Sequence, residues 1–185
     1  MTTLRDRLRV DTAPSHERVD RAYSRLDLRR PDDLGTFLTA QRAVLAAIRV
    51  RPGSHAEEAL KVAQMMTDAL DADLGHLGAG RVMALGTREV HGTACLYILL
   101  GSSLGTRVLH RRWLEAGDPV VAGAGRYLGL AMPPGAWRNL CEDLARRPPG
   151  GPEADRTVRD AAALFDLHLA AWDRLAALPE GTVHV

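Results

Sequence analysis

The sequence predicts an all-α protein whose residues 1–185 form a single compact domain. Apolar residues recur with helical spacing along most of the chain, and no alternation of polar and apolar residues indicates a strand. Aromatic residues make up 4% of the chain and hydrophobic residues 46%, so Leu, Ala and Val must build the core. Such a core favours packed helices, and we expect roughly seven or eight of them.

The composition is that of an ordinary soluble protein. Charged residues make up 25% of the chain and the net charge is +1, which excludes a disordered chain and one that coats nucleic acid. The start "MTTLRDRLRV" lacks the apolar core of a signal peptide, and no run of about 18 apolar residues indicates a membrane span. We therefore expect a cytoplasmic protein that binds neither nucleic acid nor a membrane.

Prolines and capping residues predict the first two helices. Thr12 and Pro14 stand near a first turn and predict a helix that runs through "SHERVDRAYSRL". Pro31 and the two aspartates after it predict a second helix, "DDLGTFLTAQRAVLAAI". The "RPG" at residues 51–53 is expected to end it.

A capping-box pattern predicts the start of the third helix. Ser54 and Glu57 have the spacing of this motif, in which the side chain of each residue accepts a hydrogen bond from the backbone N–H of the other. The helix is expected to extend through Leu74 or Leu77. The "GAG" at residues 78–80 breaks it.

The second half of the chain is predicted to hold three further helices. The first runs from Thr87 to about Leu114 and is followed by a turn at "AGDP", residues 116–119. Residues 120–130 are rich in glycine and ambiguous. Two prolines at 133–134 precede a helix that ends at the "RRPPGGP" linker, and "AAALFDLHLAAWDRLAAL" forms the last one.

Two glycines and two serines interrupt the apolar helix "LYILLGSSLGTRVLHRR". Glycine inside a helix costs up to about 1 kcal/mol relative to alanine, and serine is also a poor helix former. One face of this helix carries Tyr97, Gly101, Leu104, Gly105 and Val108. The two glycines make a shallow trough in which the backbone can approach a flat, bulky ligand. Close packing against another helix is the alternative explanation.

His16 and Asp20 stand four residues apart and share a face of the first helix. A metal-binding histidine usually donates its second ring N–H to a carboxylate or carbonyl, which fixes the tautomer. His16 is therefore a candidate metal ligand, with Asp20 as its acceptor. An ordinary surface pair is the alternative. His91 and His168 lie among apolar residues and are interpreted as core or boundary residues.

Two motifs taken together resemble the heme oxygenase family, most closely its compact bacterial branch, which supplies biliverdin to bacteriophytochromes. The family's opening motif, Leu-basic-x-x-Thr-x-x-x-His-x-x-x-acid, is matched by Leu8, Arg9, Thr12, His16 and Asp20. Its glycine-bearing helix is matched by Gly101, Ser102, Leu104 and Gly105. The stretches "SRLDL", "FLTAQRAVL", "DADLGHLG" and "FDLHLAAW" extend the resemblance over nearly the whole chain.

The resemblance implies a heme held between a proximal helix and a kinked distal helix. His16 is then the proximal iron ligand, bound through neutral imidazole, and Asp20 is its hydrogen-bond acceptor. Gly101, Ser102 and Gly105 are the implied catalytic positions. Gly101 and Gly105 form the wall on the oxygen side, where a side chain would collide with the porphyrin or its bound oxygen, and Ser102 stands where the animal enzymes carry a carboxylate that orders water.

Further contacts to the heme are implied at both helices. Arg9 falls where the family places a basic residue for a heme propionate, and Tyr97 and Arg138 are further expected partners of the propionates. Thr12 and Leu104 belong to the two matched motifs and are expected to line the same site.

The activity implied by the resemblance is that of a heme oxygenase, which converts heme to biliverdin, ferrous iron and carbon monoxide. Heme is then both cofactor and substrate, and dioxygen is the oxidant. The chain carries no glycine-rich dinucleotide motif after a strand, so electrons must come from a separate reductase or ferredoxin. Arg107, Arg111 and Arg112 form either a docking patch for that donor or a solvated helix end. A bilin-accepting photoreceptor is a further expected partner.

Three other functions stay open. A non-catalytic heme-binding or heme-sensing protein is the nearest, because Ser102 stands where the animal enzymes carry a carboxylate, and Leu100 and Thr106 also depart from the family pattern. A relative of the thiaminase-like proteins would need a catalytic cysteine and a carboxylate pair, whereas Cys95 and Cys141 are expected to be buried, reduced thiols. A helical interaction module without a ligand is the last.

Overall fold

Most of the chain is helical in the computed structural model, as the apolar spacing predicts. The structure describes residues 2–79 and 83–177, except for the side chain of Arg107, so Gly80 of the predicted helix break lies outside the described residues. Within these ranges, seven helices and two short strands follow one another. They are α1 (Leu4–Tyr23), α2 (Pro31–Ala47), β1 (Ile48–Arg51), α3 (Ala56–His76), β2 (Arg88–His91), α4 (Gly92–Trp113), α5 (Pro119–Gly123), α6 (Ala136–Arg146) and α7 (Pro152–Ala176).

The predicted start of the first helix is wrong by about three turns. α1 begins at Leu4, where Thr3 and Asp6 form a capping box: the Thr3 hydroxyl accepts from the Asp6 N–H at 3.3 Å, and the Asp6 carboxylate accepts from the Thr3 N–H at 3.1 Å. Pro14 therefore lies inside the helix rather than in its first turn. A proline there removes one helical hydrogen bond, but the local cap and the burial of Leu4 and Leu8 outweigh that loss.

The expectation that the chain has no strand is also wrong, although only four residues on each side are involved. β1 and β2 pair in parallel, with Val50 opposite Val90. These two segments were expected to end the second helix and to begin the fourth. The fourth helix instead begins after β2, where His91 Nδ1 accepts from the Thr93 N–H at 3.3 Å and caps α4.

The third helix has nearly its predicted bounds, but the capping box at Ser54 and Glu57 does not form. The residue that caps α3 is His55, whose backbone is in the left-handed region with φ of 61°. The reason lies at the start of α4: a Cβ on Gly92 would stand 2.6 Å from the Ser54 carbonyl oxygen and from the Ala56 N. This close approach of two backbones requires glycine at position 92. Contacts with α4 therefore hold the residues before α3, since the Ser54 carbonyl oxygen also accepts from the Thr93 hydroxyl at 3.4 Å.

The core lies among α2, α3, α4 and α7 and consists mainly of leucine, alanine and valine. α4 has the length and composition of a membrane-spanning helix, and it is the one described helix that does; 47% of its most apolar window is buried in the protein. The core helix of a soluble protein can have the same length and composition, so α4 alone does not indicate a membrane span.

A buried carboxylate holds the ambiguous segment after α5 against the core. The turn predicted at residues 116–119 lies two residues earlier, at 114–115; residues 116–118 are irregular and Pro119 begins α5, which the Asp118 side chain caps. Asp73 of α3 is fully buried and accepts hydrogen bonds from the backbone N–H groups of Arg126 at 3.0 Å and Tyr127 at 2.8 Å. Asp73 thereby fixes Tyr127 in the interior, next to the cavity described below.

Candidate functional site

A large cavity lies between α1 and α4, two helices that hardly contact each other. Its volume is about 410 Å³. Pockets of about 300–1000 Å³ are typical of sites for small ligands and cofactors. Nine of the ten residues predicted for the site line it: Arg9, Thr12, His16, Asp20, Tyr97, Gly101, Ser102, Leu104 and Gly105.

His16 stands on the α1 side of the cavity with one ring nitrogen held by a carboxylate. Its Nδ1 lies 3.2 Å from an Asp20 carboxylate oxygen, one turn further along the helix. With the proton on Nδ1, Asp20 accepts that hydrogen bond, and Nε2 keeps its lone pair. The His16 side chain is 58% exposed, so it has not been desolvated by the protein itself. This is the arrangement expected of a histidine that binds a metal through Nε2.

Gly101 and Gly105 stand on the α4 side, and neither is needed for packing between helices. Outside the α4 backbone and the adjacent residues, a Cβ on Gly105 would find no described atom within 4 Å, and one on Gly101 would meet only the Trp137 ring at 3.7 Å, which is ordinary contact. Helix packing, the alternative explanation for these glycines, therefore receives no support from the structure. Their open faces leave the α4 backbone accessible from the cavity.

Hydroxyl side chains on α4 bond back to the carbonyls of the preceding turn. Ser102 donates to the Leu99 carbonyl oxygen at 2.9 Å, and Thr106 donates to that of Ser103 at 3.0 Å. Such bonds satisfy the hydroxyls within the helix and often accompany bending. α4 is nevertheless one continuous helix from Gly92 to Trp113, and the kink implied by the family resemblance stays a prediction.

One end of the cavity is basic and aromatic. Arg9 lines it, and Tyr97 packs against Trp137 with ring centroids 5.5 Å apart. Burial raises the pKa of Tyr97 against the opposing charges of Arg5 and Arg9, so its hydroxyl stays protonated. A neutral hydroxyl in a cavity that Arg9 also lines suits an anionic group on a ligand.

Arg138, the tenth predicted residue, does not line the cavity. Its side chain is 77% exposed, and its guanidinium lies 3.8 Å from Glu142 one turn along α6. Trp137, its neighbour, is the residue of α6 that reaches the cavity. The helix periodicity explains the difference, since adjacent residues of a helix point about 100° apart.

The inner end of the cavity holds polar residues that were not predicted for the site. Gln41 of α2, Tyr127 and His168 of α7 all line it, and the Tyr127 hydroxyl donates to the side-chain amide oxygen (Oε1) of Gln41 over 3.5 Å. Gln41 follows Phe37 by one turn and is a polar residue on an otherwise apolar helix face. That pattern could have indicated its place in the site. His168 was interpreted as a core or boundary residue, and its position beside the cavity came from the packing of α7.

Burial determines the protonation of the remaining candidate groups. Desolvation lowers the pKa of His168 to about 4, so this imidazole is neutral at neutral pH. Burial raises the pKa of the Cys95 thiol to about 12 and that of Cys141 as well. Both cysteines are free, and neither lines the cavity. The catalytic cysteine that a thiaminase-like activity needs is therefore not offered by these two residues.

The basic patch predicted for an electron donor lies at the C-terminal end of α4. Arg111 and Arg112 are exposed there, and the side chain of Arg107 lies outside the described residues. Positive charge in the last turn of a helix also interacts favourably with the helix dipole. Both explanations of the patch therefore stay open.

A heme site needs only one protein ligand, because the porphyrin supplies four nitrogen atoms to the iron. Among residues 2–79 and 83–177, no three His, Cys, Asp or Glu side chains cluster in a way that would hold a bare metal ion.

No family model matches the chain, and no curated protein matches it significantly either.

Proposed function

We propose that this protein binds heme in the cavity between α1 and α4 and cleaves it as a heme oxygenase. One observation carries the proposal. His16, with Asp20 on its Nδ1, and Gly105, with open space where a Cβ would be, line the same cavity from two helices that hardly contact each other. A flat ligand with a central metal atom suits this combination, since one side needs a donor atom and the other needs a bare backbone.

The residues present fit a heme in three further respects. Arg9 and the protonated Tyr97 hydroxyl offer hydrogen bonds to carboxylates at one end of the cavity. Leu104 and Phe165 offer apolar contacts to a porphyrin ring. The polar residues at the inner end of the cavity, Gln41, Tyr127 and His168, can hydrogen-bond to ordered water. When bound, heme supplies the iron that activates dioxygen and the ring that is opened to biliverdin, ferrous iron and carbon monoxide.

The chain's own residues then have separate tasks. His16 holds the iron, and Asp20 keeps the His16 proton on Nδ1 so that Nε2 faces the metal. The backbone at Gly101 and Gly105 excludes side chains from the other side of the ring. Ser102 keeps a hydroxyl oxygen near this wall, whose lone pairs remain free to accept a hydrogen bond from water. Electrons come from a separate reductase or ferredoxin. The bilin product passes to a bilin-accepting photoreceptor or is released. We propose the cytoplasm as the location of the protein.

A second candidate, a heme-binding or heme-sensing protein without turnover, is favoured by one observation. Asp20 beside His16 is the only carboxylate among the described residues that line the cavity, so the α4 side offers no acid to order water. Ser102 stands at the position where a carboxylate would do so.

Titration with hemin, followed by reduction under air, separates these candidates. Binding is expected to give a Soret band that saturates at one heme per chain. Incubation of the ferric complex with ascorbate under air is then expected to bleach this band while a bilin band grows. A stable Soret band under these conditions supports the non-catalytic alternative. Absence of any spectral change on addition of hemin contradicts both and favours a ligand-free interaction module.

A further inference from the structure

His168 carries an isolated polar atom in the interior of the protein. Its Nδ1 is inaccessible to solvent and has no hydrogen-bond partner among the described protein atoms. Desolvation keeps the imidazole neutral at neutral pH, so the ring has one N–H donor and one lone-pair acceptor to satisfy. A buried polar atom left without a partner is costly and rare in folded proteins. Such an atom indicates that something else hydrogen-bonds to it.

A second, much smaller cavity adjoins this ring. Its volume is about 10 Å³. A cavity of about 10–15 Å³ is the smallest that holds one water molecule, provided that two to four polar groups surround it. The polar residues that line this one are His168, Gln41, Ser102 and Tyr127, and the rest of its wall is apolar. Both the size and the lining therefore meet the requirements for a single buried water.

The hydrogen bonds already made by these residues leave free capacity for one water. Ser102 uses its only hydroxyl proton on the Leu99 carbonyl, so its oxygen can still accept. Tyr127 and Gln41 are linked by a long contact of 3.5 Å, which is a weak hydrogen bond. A water can donate to Ser102 and exchange a second hydrogen bond with His168, without breaking any bond that the structure shows.

We propose that this small cavity holds one ordered water molecule, bound by His168 and Ser102, and that His168 is the residue that positions it. His168, Ser102, Gln41 and Tyr127 line the large cavity as well. The water therefore lies behind the glycine-bearing wall and connects α7 to the Ser102 hydroxyl of α4. A role for this water in donating hydrogen bonds toward a bound ligand rests on the proposed function. The presence of the water in the small cavity does not.

The test uses the ligand-free protein, so that it stands apart from heme binding. A high-resolution crystal structure is expected to show one water within hydrogen-bonding distance of His168 Nδ1 and the Ser102 hydroxyl. An NMR experiment on protein labelled with ¹⁵N at histidine is expected to show a neutral His168 ring with an exchange cross-peak to slowly exchanging water. A dry cavity in the wild-type structure, or a His168 Nδ1 bonded directly to a protein group, would overturn the proposal.

Variants distinguish positioning from a merely structural role. His168→Phe keeps a ring of similar shape without polar atoms, and Ser102→Ala removes the hydroxyl; each is expected to lose the water. Ser103→Ala is the matched control, because the buried Ser103 hydroxyl also bonds back one turn, to the Leu100 carbonyl oxygen at 2.6 Å, but Ser103 lines neither cavity. The control is expected to keep the water. Retention of the water in both Ser102→Ala and His168→Phe contradicts the assignment, and Ser102→Ala still decides if His168→Phe does not fold.

Turnover gives a separate readout. If the protein is a heme oxygenase, the yield of bilin is expected to fall about 10-fold or more in His168→Phe and Ser102→Ala, the loss typical of removing a supporting hydrogen bond, and to stay unchanged in Ser103→Ala. A protein without any turnover contradicts the proposed function but leaves the result on the water intact. Water present with turnover unchanged in both variants contradicts the role of the water as a donor.

Discussion

The ring of Phe165 packs edge-on against the ring of His16, with centroids 5.5 Å apart and planes at 85°. Phe165 is buried on α7, whereas His16 is exposed on α1, so this contact ties the orientation of an exposed imidazole to the core. Asp20 restrains the same ring from the next turn of α1. Two restraints from two helices are more than a solvated surface histidine needs, and they keep the ring directed at the cavity before any ligand arrives.

Replacement of His16 by alanine is expected to remove histidine ligation of heme without unfolding the protein, because this exposed side chain contributes little to the core. Absorbance and electron paramagnetic resonance of the hemin complex measure the effect, and added imidazole is expected to restore much of the wild-type spectrum. His76→Ala is the control, since His76 is exposed at the end of α3 and does not line the cavity. A wild-type spectrum in His16→Ala would contradict the assignment of His16 as the ligand.

Asp20→Asn is expected to keep heme bound but to weaken the bond between iron and His16. The amide oxygen of asparagine still accepts from Nδ1, but it lacks the negative charge that makes the imidazole a stronger donor. Resonance Raman spectra of the ferrous complex are expected to show a lower iron–histidine stretching frequency, and heme affinity is expected to fall by about 10–100-fold. An unchanged frequency would mean that the pair at 3.2 Å is only a surface contact.

The two helices of the site could be predicted because their function-bearing residues follow helical spacing. His16 and Asp20 on α1, and Gly101 and Gly105 on α4, are each one turn apart, so one motif on each helix defines one face. That the two faces meet at one cavity depends on the packing of α7 and α2, which local patterns do not encode. For the same reason Gln41 and His168 were not predicted as part of the site.

The elements that were missed are those in which tertiary contacts outweigh local signals. β1 and β2 are four residues each, too short for alternation to be recognised. They are held by each other and by Asp160 of α7, whose carboxylate accepts from the His91 N–H at 2.7 Å and pairs with Arg51. The capping box at Ser54 and Glu57 is a strong local pattern, yet the approach of Gly92 to the Ser54 carbonyl displaces it. The sequence predicts a helix start near Thr12 and Pro14 because the capping box at Thr3 is followed by alternating charged residues rather than by an apolar run.

Stability is expected to rise with pH between about 4 and 6.5 because of His168. Its pKa is about 4 in the folded protein, against an ordinary value of 6.5 in the unfolded chain. Between these values the unfolded state binds a proton that the folded state does not, so the free energy of unfolding falls as pH falls through this window. The full effect is on the order of 3 kcal/mol.

The two phenols next to His168 do not titrate in this window. Tyr23 and Tyr127 face it from α1 and from the segment after α5, and burial raises the pKa of both phenols. Burial also lowers the pKa of His91, so this residue adds to the dependence of stability on pH from a distant position.

Urea denaturation at several pH values, on the wild type and on His168→Asn, isolates the contribution of His168 as the difference. Parallel pH profiles for the two proteins would show that His168 is not desolvated.

Gly105→Ala is expected to separate stability from function. Alanine is favoured over glycine in a helix interior by up to about 1 kcal/mol. The added methyl group would meet no described atom of another element within 4 Å, so the variant should be as stable as the wild type or more so. The same methyl group projects into the cavity, where it would displace a bound heme or the water beside it. Bilin yield with ascorbate is therefore expected to fall while the melting temperature holds or rises.

Gly75→Ala is the matched control for this prediction. Gly75 lies near the end of α3, it also has no atom within 4 Å of a Cβ, and it does not line the cavity. A methyl group there should raise stability slightly and leave heme binding and bilin yield unchanged. Because both substitutions add the same atom to an open helix surface, only contact with the ligand can make their activities differ. Equal turnover in the two variants would remove Gly105 from the wall of the site, and with it the strongest argument that a flat ligand lies against α4.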